Sequence, residues 1–408
     1  MTRYLTCFES AWDGTVFPPD TQATWHAGRP LWVRYDLERL RAEVRRTEWE
    51  SRAPNMWRFR ELLPVGDEIE PISLHEDATP LVACPQLGAA LGLSRLWIKD
   101  ESRLSGCSFK ARGLSLAITM ARHSGVTCVA MASNGNAGGS MASYAARGGL
   151  KSVVVVPKET PRANVAESIL CGARVFRAVG TIDQCGKVIR QGHERGLWFD
   201  ISTMKEPYRL EGKKTMGLEL ALQMRWQLPD VIVYPTGGGT ALIAMWKAFQ
   251  ELRSLGWLDS ATMPRMVAAQ STGCTPIVTA FEKGARTATR HENAATVAAG
   301  LRVPIGIGDF MVLDAVRESG GLAVSADEAR ISEWQNLVGR EEGIVICPET
   351  ALCLGALQKL IANNQIRRDE SVVVFNTAAG QKYIDHLDLS VPEIDLNSPD
   401  WSVIESNL

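Results

Sequence analysis

The sequence predicts an α/β protein with open, mainly parallel, twisted sheets and helices on both faces. Short runs rich in β-branched residues, bounded by Gly, Pro, Ser or Asn, are typical of buried strands. Such runs lie at 126–133, 152–157, 174–179, 231–236, 265–270 and 371–377. Longer amphipathic stretches alternate with them, as in parallel sheets covered by helices. These helical stretches lie at 112–124, 138–147, 161–170, 183–195, 240–254 and 326–342.

The first 75 residues do not follow this alternation. They are rich in Trp, Arg and Pro, and they contain one clear helical patch at 36–46. We expect residues 1–75 to form an arm or outer layer that packs on the larger part of the molecule.

The bulk composition excludes several classes of function. The chain has 408 residues, of which 45% are hydrophobic and 22% charged, as in ordinary globular proteins. A net charge of -2 gives no basic footprint for nucleic acid or an anionic membrane. The N-terminus lacks the features of a secretory signal, and no apolar run reaches the roughly 18 residues of a membrane span. We therefore expect no nucleic-acid partner and no membrane partner.

The cysteines predict neither a disulfide framework nor a metal site. The sequence has nine of them, an odd number, and they are scattered without any CxxC pair. That pattern is typical of reduced thiols in a cytoplasmic protein. We expect a cytoplasmic location and no bound metal.

The first candidate for a reactive residue is Lys110, in the motif GCSFKARG at 106–113. It follows a Gly-containing loop and Phe109, where a helix is predicted to begin. Most lysines are solvated surface cations, and Lys110 could be one of these. A lysine among apolar residues can instead lose its proton through desolvation and form a Schiff base with a carbonyl cofactor.

Three strand-to-helix turns carry small or hydroxyl residues. The segment SNGNAGGS at 133–140 offers backbone N–H groups to an anion such as a carboxylate. The segment PTGGGT at 235–240 could cradle a phosphate, although it matches neither the Walker nor the GxGxxG pattern. The segment FNTAAG at 375–380 places the Thr377 hydroxyl at the end of a strand. Each segment alone could also be an ordinary tight turn or helix cap.

Together these motifs resemble the fold-type II pyridoxal phosphate (PLP) enzymes, whose fold is like that of tryptophan synthase β. They are most similar to threonine synthases, over roughly residues 30–385. The similar segments are RYDLERL (34–40), KDESRLSGCSFKARG (99–113), KEPYRLEGKKTMG (205–217), PTGGGTALIAMWKAF (235–249), TVAAGLRVP (296–304), RESGGLAVSADE (317–328) and NTAAGQKY (376–383).

The resemblance implies a cofactor, PLP, and a role for particular residues. Lys110 would be the catalytic residue and the Schiff-base lysine, Asn136 would contact the phenolic oxygen, and Thr377 would face the pyridine nitrogen. The implied cofactor-binding residues are Lys110, Phe109, Asn136, Gly237, Gly238, Gly239, Thr240 and Thr377. The implied substrate-binding residues are Ser108, Ser133, Asn134, Ala137 and Arg209. Among these, Arg209 would contact a substrate phosphate.

Some positions depart from the commoner threonine synthase pattern. Ala111 follows the lysine where Asp is usual, and Thr203 and Met204 replace an Asn–Ser pair that helps to bind the substrate phosphate. The cysteine-rich zinc ribbon found at the start of many threonine synthases is missing. Three lysines could compensate as phosphate ligands or could be solvated: Lys205, Lys213 and Lys214.

The leading functional hypothesis is a threonine synthase-like lyase. It would convert O-phospho-L-homoserine and water into L-threonine and phosphate by γ-elimination and β-addition. The alternative is a β-eliminating threonine or serine dehydratase, or a β-replacement enzyme acting on O-phosphoserine. A third hypothesis is an inactive PLP-fold protein with a binding role, against which the intact Lys110 and Asn136 argue.

The resemblance also implies a domain arrangement. A smaller mobile domain at 101–200 would carry the Schiff-base lysine and the carboxylate loop, and would close over the substrate. Residues 76–100 and 201–408 would form the large PLP-binding domain. Homodimerisation is implied in the same way.

Overall fold

The computed structural model describes residues 2–21, 24–387, 391–398 and 401–406. The other positions of the predicted ranges 1–75 and 201–408 lie outside the described residues. Within the described ranges, no helix has the length and apolar character that a bilayer crossing requires. The same ranges contain no group of three His, Cys, Asp or Glu side chains placed to hold a metal ion.

The N-terminal segment forms an antiparallel sheet that the sequence did not predict. Its strands are β1 (Leu5–Ser10), β2 (Val16–Phe17), β3 (Trp25–His26) and β4 (Arg29–Tyr35), in the order β2–β1–β4–β3. Two short helices follow, α1 (Leu37–Glu43) and α2 (Arg46–Ser51). The predicted helical patch 36–46 is therefore interrupted, because Val44 and Arg45 adopt extended backbone conformations.

A four-stranded, fully parallel sheet occupies the middle of the chain, in the order β10–β7–β8–β9. Before it come β5 (Leu81–Ala83), α3 (Pro85–Leu91), β6 (Arg95–Asp100) and α4 (Lys110–His123). The sheet and its helices are β7 (Cys128–Ala132), α5 (Asn136–Arg147), β8 (Lys151–Pro157), α6 (Arg162–Leu170), β9 (Arg174–Ala178), α7 (Ile182–Glu194) and β10 (Phe199–Asp200).

A larger sheet has the order β13–β12–β11–β14–β6–β5 and is parallel except for β5. Its remaining elements are α8 (Tyr208–Gln223), β11 (Val231–Pro235), α9 (Thr240–Leu255), β12 (Arg265–Ser271), α10 (Pro276–Glu282), α11 (Asp309–Glu318), β13 (Leu322–Ala326), α12 (Ile331–Glu342), α13 (Pro348–Ala362), β14 (Ser371–Asn376) and α14 (Trp401–Ser406). Short 3₁₀ helices cover Met56–Leu62, Glu101–Arg103, Ser105–Cys107, Ala299–Leu301, Glu328–Arg330 and Gly380–His386.

Both faces of the large sheet are buried, which explains why its strands read as continuous apolar runs. In β14, Val373 and Phe375 belong to the core beneath α9 and α11, whereas Val372 and Val374 belong to the core beneath α13. The N-terminal sheet packs on the outer side of α8 and α9, where Phe8 joins their apolar side chains in one cluster.

The predicted fold class is confirmed, and every predicted strand corresponds to an observed one. The prediction that 174–179 is buried is wrong, because β9 is an edge strand with Phe176 exposed. The predicted helix 326–342 begins only at Ile331, since Ala326 still belongs to β13. Helices α8 and α13 were missed because they are buried almost all round, so neither shows the one-sided apolar pattern of a surface helix.

A buried network of balanced charges joins β6, α4 and α8. Arg112 donates to Glu101 (Nε to Oε2, 2.7 Å) and to Glu219 (Nη2 to Oε1, 3.0 Å), and Lys99 also donates to Glu219. All four side chains are at most 3% exposed. Burial alone would raise the pKa of Glu219, but the charges of Arg112 and Lys99 outweigh it and lower that pKa to about 2. Arg112 thus fixes the start of α4, two residues after Lys110.

Replacing Arg112 with Ala is expected to lower the free energy of unfolding by about 3–5 kcal/mol, because two carboxylates would keep only one cation between them. Urea unfolding at neutral pH measures this loss. In the wild-type protein the contribution of Glu219 should be present above its ordinary pKa of 4.5 and disappear as the pH falls through about 2.

The matched control is Arg122→Ala, which removes an exposed arginine from the same helix. Its effect should stay within about 0.5 kcal/mol. Equal effects of the two substitutions would contradict a stabilising role for the buried network.

Candidate active site

A cavity of about 460 Å³ lies at the carboxyl ends of three parallel strands. Strand β7 leads into residues 133–137, β11 leads into 237–240, and β14 leads into Thr377, and all three segments line the cavity. Open α/β sheets bind their ligands at this edge. The arrangement therefore brings three turns that are far apart in the sequence to one place.

All but one of the residues predicted for the site line this cavity. They are Phe109, Lys110, Ser133, Asn134, Asn136, Ala137, Arg209, Gly237, Gly238, Gly239, Thr240 and Thr377. The exception is Ser108, which is fully buried, pairs through its backbone with Ala378 and is not part of the cavity wall. The expectation that Ser108 contacts substrate gains no support from its position.

Lys110 is the first residue of α4, and it faces the cavity. Its Nζ lies 3.8 Å from the centroid of the Phe109 ring. Burial and, to a smaller extent, the positive charge of Arg209 lower the pKa of the Lys110 amine, and Glu349 opposes both effects, so that the pKa is about 7. At neutral pH a large share of this amine is therefore unprotonated and able to act as a nucleophile or a base.

The glycine turn after β11 has no room for a side chain at its first and third glycines. A Cβ on Gly237 would lie 2.2 Å from the carbonyl oxygen of Gly300. Gly239 has a φ of +67°, and its Cβ would lie 2.1 Å from a methyl carbon of Val312. The turn ends at Thr240, the first residue of α9. Backbone N–H groups at such a helix start form a cradle for an anion, with a preference for phosphate.

Lys213 reaches this turn from α8, and its Nζ donates a hydrogen bond to Thr240 Oγ1 at 2.6 Å. It is 1% exposed, so the alternative of a solvated lysine is wrong here. Lys214 is also buried, but it points elsewhere and pairs with Glu211 (2.7 Å) and Glu251 (2.9 Å). Lys214 is therefore not a ligand in the cavity, whereas Lys205 does line it.

Glu349 and Tyr383 are among the cavity residues that were not predicted from the sequence. Asn136 Nδ2 donates to the Tyr383 hydroxyl at 2.8 Å. Glu349 Oε1 accepts from the backbone N–H of Gly300 at 2.8 Å, and so holds the segment that backs the glycine turn. Tyr383 lies within the similar segment at 376–383 and could have been found there, whereas Glu349 carries no comparable signal in the sequence.

The loop 133–137 is held in place by its own polar groups. Ser133 Oγ accepts from the N–H of Gly138 (2.9 Å) and donates to the carbonyl of Gly135 (2.8 Å). Asn134 Nδ2 donates to the carbonyl of Arg302 at 3.0 Å. The Ser133 hydroxyl is thus already engaged within the loop, and this leaves the backbone N–H groups at the start of α5 as the better donors to a carboxylate.

Thr377 offers a neutral hydroxyl to the cavity, whereas Arg209 offers a positive charge. The Thr377 hydroxyl lies in a neutral environment, 3.5 Å from the sulfur of Cys347. Arg209 is 2% exposed, its Nη1 donates to the carbonyl of Ile201 at 2.9 Å, and its Nε has no partner in the described structure. A buried guanidinium with an unused donor is suited to an anionic ligand.

A family model described as pyridoxal-phosphate dependent enzyme matches residues 72–378. Among curated relatives, the threonine synthase of Methanocaldococcus jannaschii is 35% identical over 360 residues, covering 88% of this chain and 88% of the relative. That of Methanosarcina acetivorans is 35% identical and covers 85% of this chain and 82% of the relative. That of Mycobacterium tuberculosis H37Rv is 30% identical and covers 79% and 87%. The resemblance to threonine synthases is thereby confirmed.

Solved structures with a similar fold include maize serine racemase, with a TM-score of 0.64, 20% identity, and coverage of 81% of this chain and 92% of that one. The processed form of threonine deaminase isoform 2 from Solanum lycopersicum has a TM-score of 0.62 and 20% identity, and covers 81% and 86%. At such identities the likeness concerns the fold alone, and it confirms the expected fold-type II architecture.

The lowered pKa of Lys110 predicts unusual reactivity in the cofactor-free protein. Its reaction with a small aldehyde, trapped by a reductant and followed by peptide mass spectrometry, should be half-maximal near pH 7. Solvated lysines should react appreciably only as the pH approaches about 10.4. A half-maximum for Lys110 near the pH of the solvated lysines would show that its amine is not desolvated.

Proposed function

The chain belongs to the family of pyridoxal-phosphate dependent enzymes, and we propose that it converts O-phospho-L-homoserine and water into L-threonine and phosphate. It is a PLP-dependent enzyme, a lyase with threonine synthase-like function. The choice of substrate rests on one observation, which is the excess of cationic side chains around the cavity.

The residues of the cavity fit the cofactor. Lys110, whose side chain is half-buried, offers an amine of lowered pKa to its aldehyde. The turn Gly237–Gly239, where a Cβ would collide with Gly300 or Val312, fits its phosphate group. Asn136 retains an unpartnered Oδ1 in the cavity wall, and the neutral Thr377 hydroxyl suits a ring nitrogen. These are the residues that would hold PLP, with Lys110 as the Schiff-base lysine.

When bound, PLP supplies an electron sink that stabilises negative charge at the α-carbon of an amino acid. Lys110 would accept and return protons there, because an amine with a pKa of about 7 is partly unprotonated at neutral pH. The substrate would lose phosphate from Cγ and gain water at Cβ, so that one water is consumed for each phosphate released.

The cavity wall is more basic than acidic, which supports a phosphorylated substrate. The basic residues lining it are Lys110, Lys187, Arg190, Lys205, Arg209 and Lys213, and the acidic ones are Asp183, Asp200 and Glu349. Asp183 already pairs with Arg290 at 3.2 Å, and Asp200 accepts from the N–H of Ser202 at 2.9 Å. With these acids engaged, Arg209 and the outer cations are free to hold a substrate phosphate.

One observation favours a second candidate. At the position of the usual Asn–Ser pair, Met204 is 4% exposed and belongs to the apolar core, so it offers no polar group to a phosphate. A β-eliminating threonine or serine dehydratase would need no such ligands, because its substrate carries no phosphate. A β-replacement enzyme acting on O-phosphoserine would need them as much as an enzyme acting on O-phospho-L-homoserine.

The domain movement, the oligomeric state and the location belong to the same proposal. A small domain at 101–200 would close on the large domain, 76–100 and 201–408, with residues 1–75 as its outer layer. The polar contacts between the two predicted domains include Asn134 to Arg302 and Lys382 to Glu167 at 2.7 Å, which would break on opening. A homodimer follows from the family resemblance. The nine free cysteines support a cytoplasmic location, because thiols stay reduced in that compartment.

The products distinguish the candidate reactions. With O-phospho-L-homoserine, the purified enzyme should release inorganic phosphate and L-threonine in equal amounts, measured by a phosphate assay and amino-acid chromatography. Lys110→Ala should lower this rate by on the order of 10²–10⁴-fold or more, because the proton-transfer group is lost.

Threonine and O-phosphoserine are the comparison substrates. Formation of ammonia and 2-oxobutyrate from threonine, without phosphate release from O-phospho-L-homoserine, would replace the proposal with the dehydratase. Turnover of O-phosphoserine alone would identify a β-replacement enzyme instead.

A further inference from the structure

Lys213 is a buried lysine that forms no ion pair in the described structure. The buried lysines of the described chain are Lys99, Lys213, Lys214 and Lys247. The other three each lie within ion-pair distance of a glutamate, whereas Lys213 has only the neutral hydroxyl of Thr240. Because burying an unpaired charge is costly, such a lysine calls for a compensating anion.

The path of the side chain directs its amine to the glycine turn. α4 comes close to α8 at Gly113, where a Cβ would lie 2.7 Å from the carbonyl oxygen of Arg209 and 3.2 Å from Lys213 Cε. From there the amine passes the Phe109 ring, 5.4 Å from its centroid, and ends 2.6 Å from Thr240 Oγ1. Thr240 follows the three glycines directly, so the amine lies at the end of the glycine turn.

The electrostatic surroundings of Lys213 are those of a site built for an anion. Burial lowers the pKa of Lys213 well below its usual value, and the positive charges of Arg209 and Lys110 lower it further, while Glu206 opposes them. A phosphate dianion beside this amine would reverse the effect and favour its protonated form. The cofactor phosphate, which is expected to bind at the glycine turn, carries such a negative charge.

We propose that Lys213 is a direct ligand of the cofactor phosphate and makes the site selective for the phosphorylated form of the cofactor. The glycine turn supplies backbone N–H groups, and Lys213 supplies the full positive charge that the turn lacks. Thr240 holds the amine in place until the phosphate binds. This role is independent of which amino acid the enzyme converts.

The test compares PLP with pyridoxal, which has the same aldehyde and ring but no phosphate. Cofactor-free protein prepared from the holoenzyme is titrated with each compound, following the absorbance of the bound form. In Lys213→Met the affinity for PLP should fall by on the order of ten- to hundredfold, as expected for loss of a charge-assisted hydrogen bond. The affinity for pyridoxal should stay within about twofold of the wild-type value.

Lys187→Met is the matched control, because it removes an exposed cation that lines the same cavity away from the glycine turn. It should leave the ratio of the two affinities unchanged. A wild-type ratio in Lys213→Met, or an equal loss of both affinities, would overturn the proposal.

A stability measurement separates ligand binding from a structural role. Since Met removes a buried polar amine that forms no ion pair, the cofactor-free Lys213→Met protein should melt at the same temperature as the wild type or higher. A lower melting temperature without any change in the affinity ratio would show that the bond from Lys213 to Thr240 serves only the fold. If Lys213→Met fails to fold, Lys213→Gln replaces it. The ratio of its affinities for PLP and pyridoxal then tests the proposal in the same way.

Discussion

Desolvation of the Lys110 amine governs the chemistry of this cavity, because a lysine in water keeps its proton up to a pH of about 10.4 and is a poor nucleophile below it. The protein achieves this desolvation at the start of a helix, with the Phe109 ring on one side and the charge of Arg209 nearby. No carboxylate pairs directly with the amine in the described structure, although Glu349 moderates the shift. A close acidic partner would restore the ordinary pKa and remove the nucleophile.

The fold separates two classes of buried charge. Away from the cavity, cations meet acids at short range, as Arg112 does with Glu101 at 2.7 Å, and these pairs fix how the helices pack. Around the cavity, Lys213 contacts only the neutral hydroxyl of Thr240 in the described structure, and the Nε of Arg209 has no partner there. Unpaired positive charge is destabilising in an unliganded protein and favourable once an anion binds. The distribution of the pairs therefore identifies the place where phosphate groups are expected.

The sequence was most informative where one short segment carries the geometry. Lys110 and the turn at 237–240 were recognisable because a lysine at a helix start and glycines after a strand have local physical meanings. Lys213 could not be assigned to that turn from sequence, because its partner Thr240 is 27 residues away and the contact depends on how α8 packs against α9. The N-terminal sheet was missed because two of its strands have only two residues and leave no periodic pattern.

The central claim is that one amine, on Lys110, carries the cofactor. Borohydride reduction of the purified holoenzyme, followed by proteolysis and mass spectrometry, tests it most directly, because reduction makes the linkage between lysine and cofactor permanent. The account predicts a phosphopyridoxyl group on the peptide that contains Lys110 and on no other. Modification of Lys213 instead, the other cavity lysine of strongly lowered pKa, would contradict it.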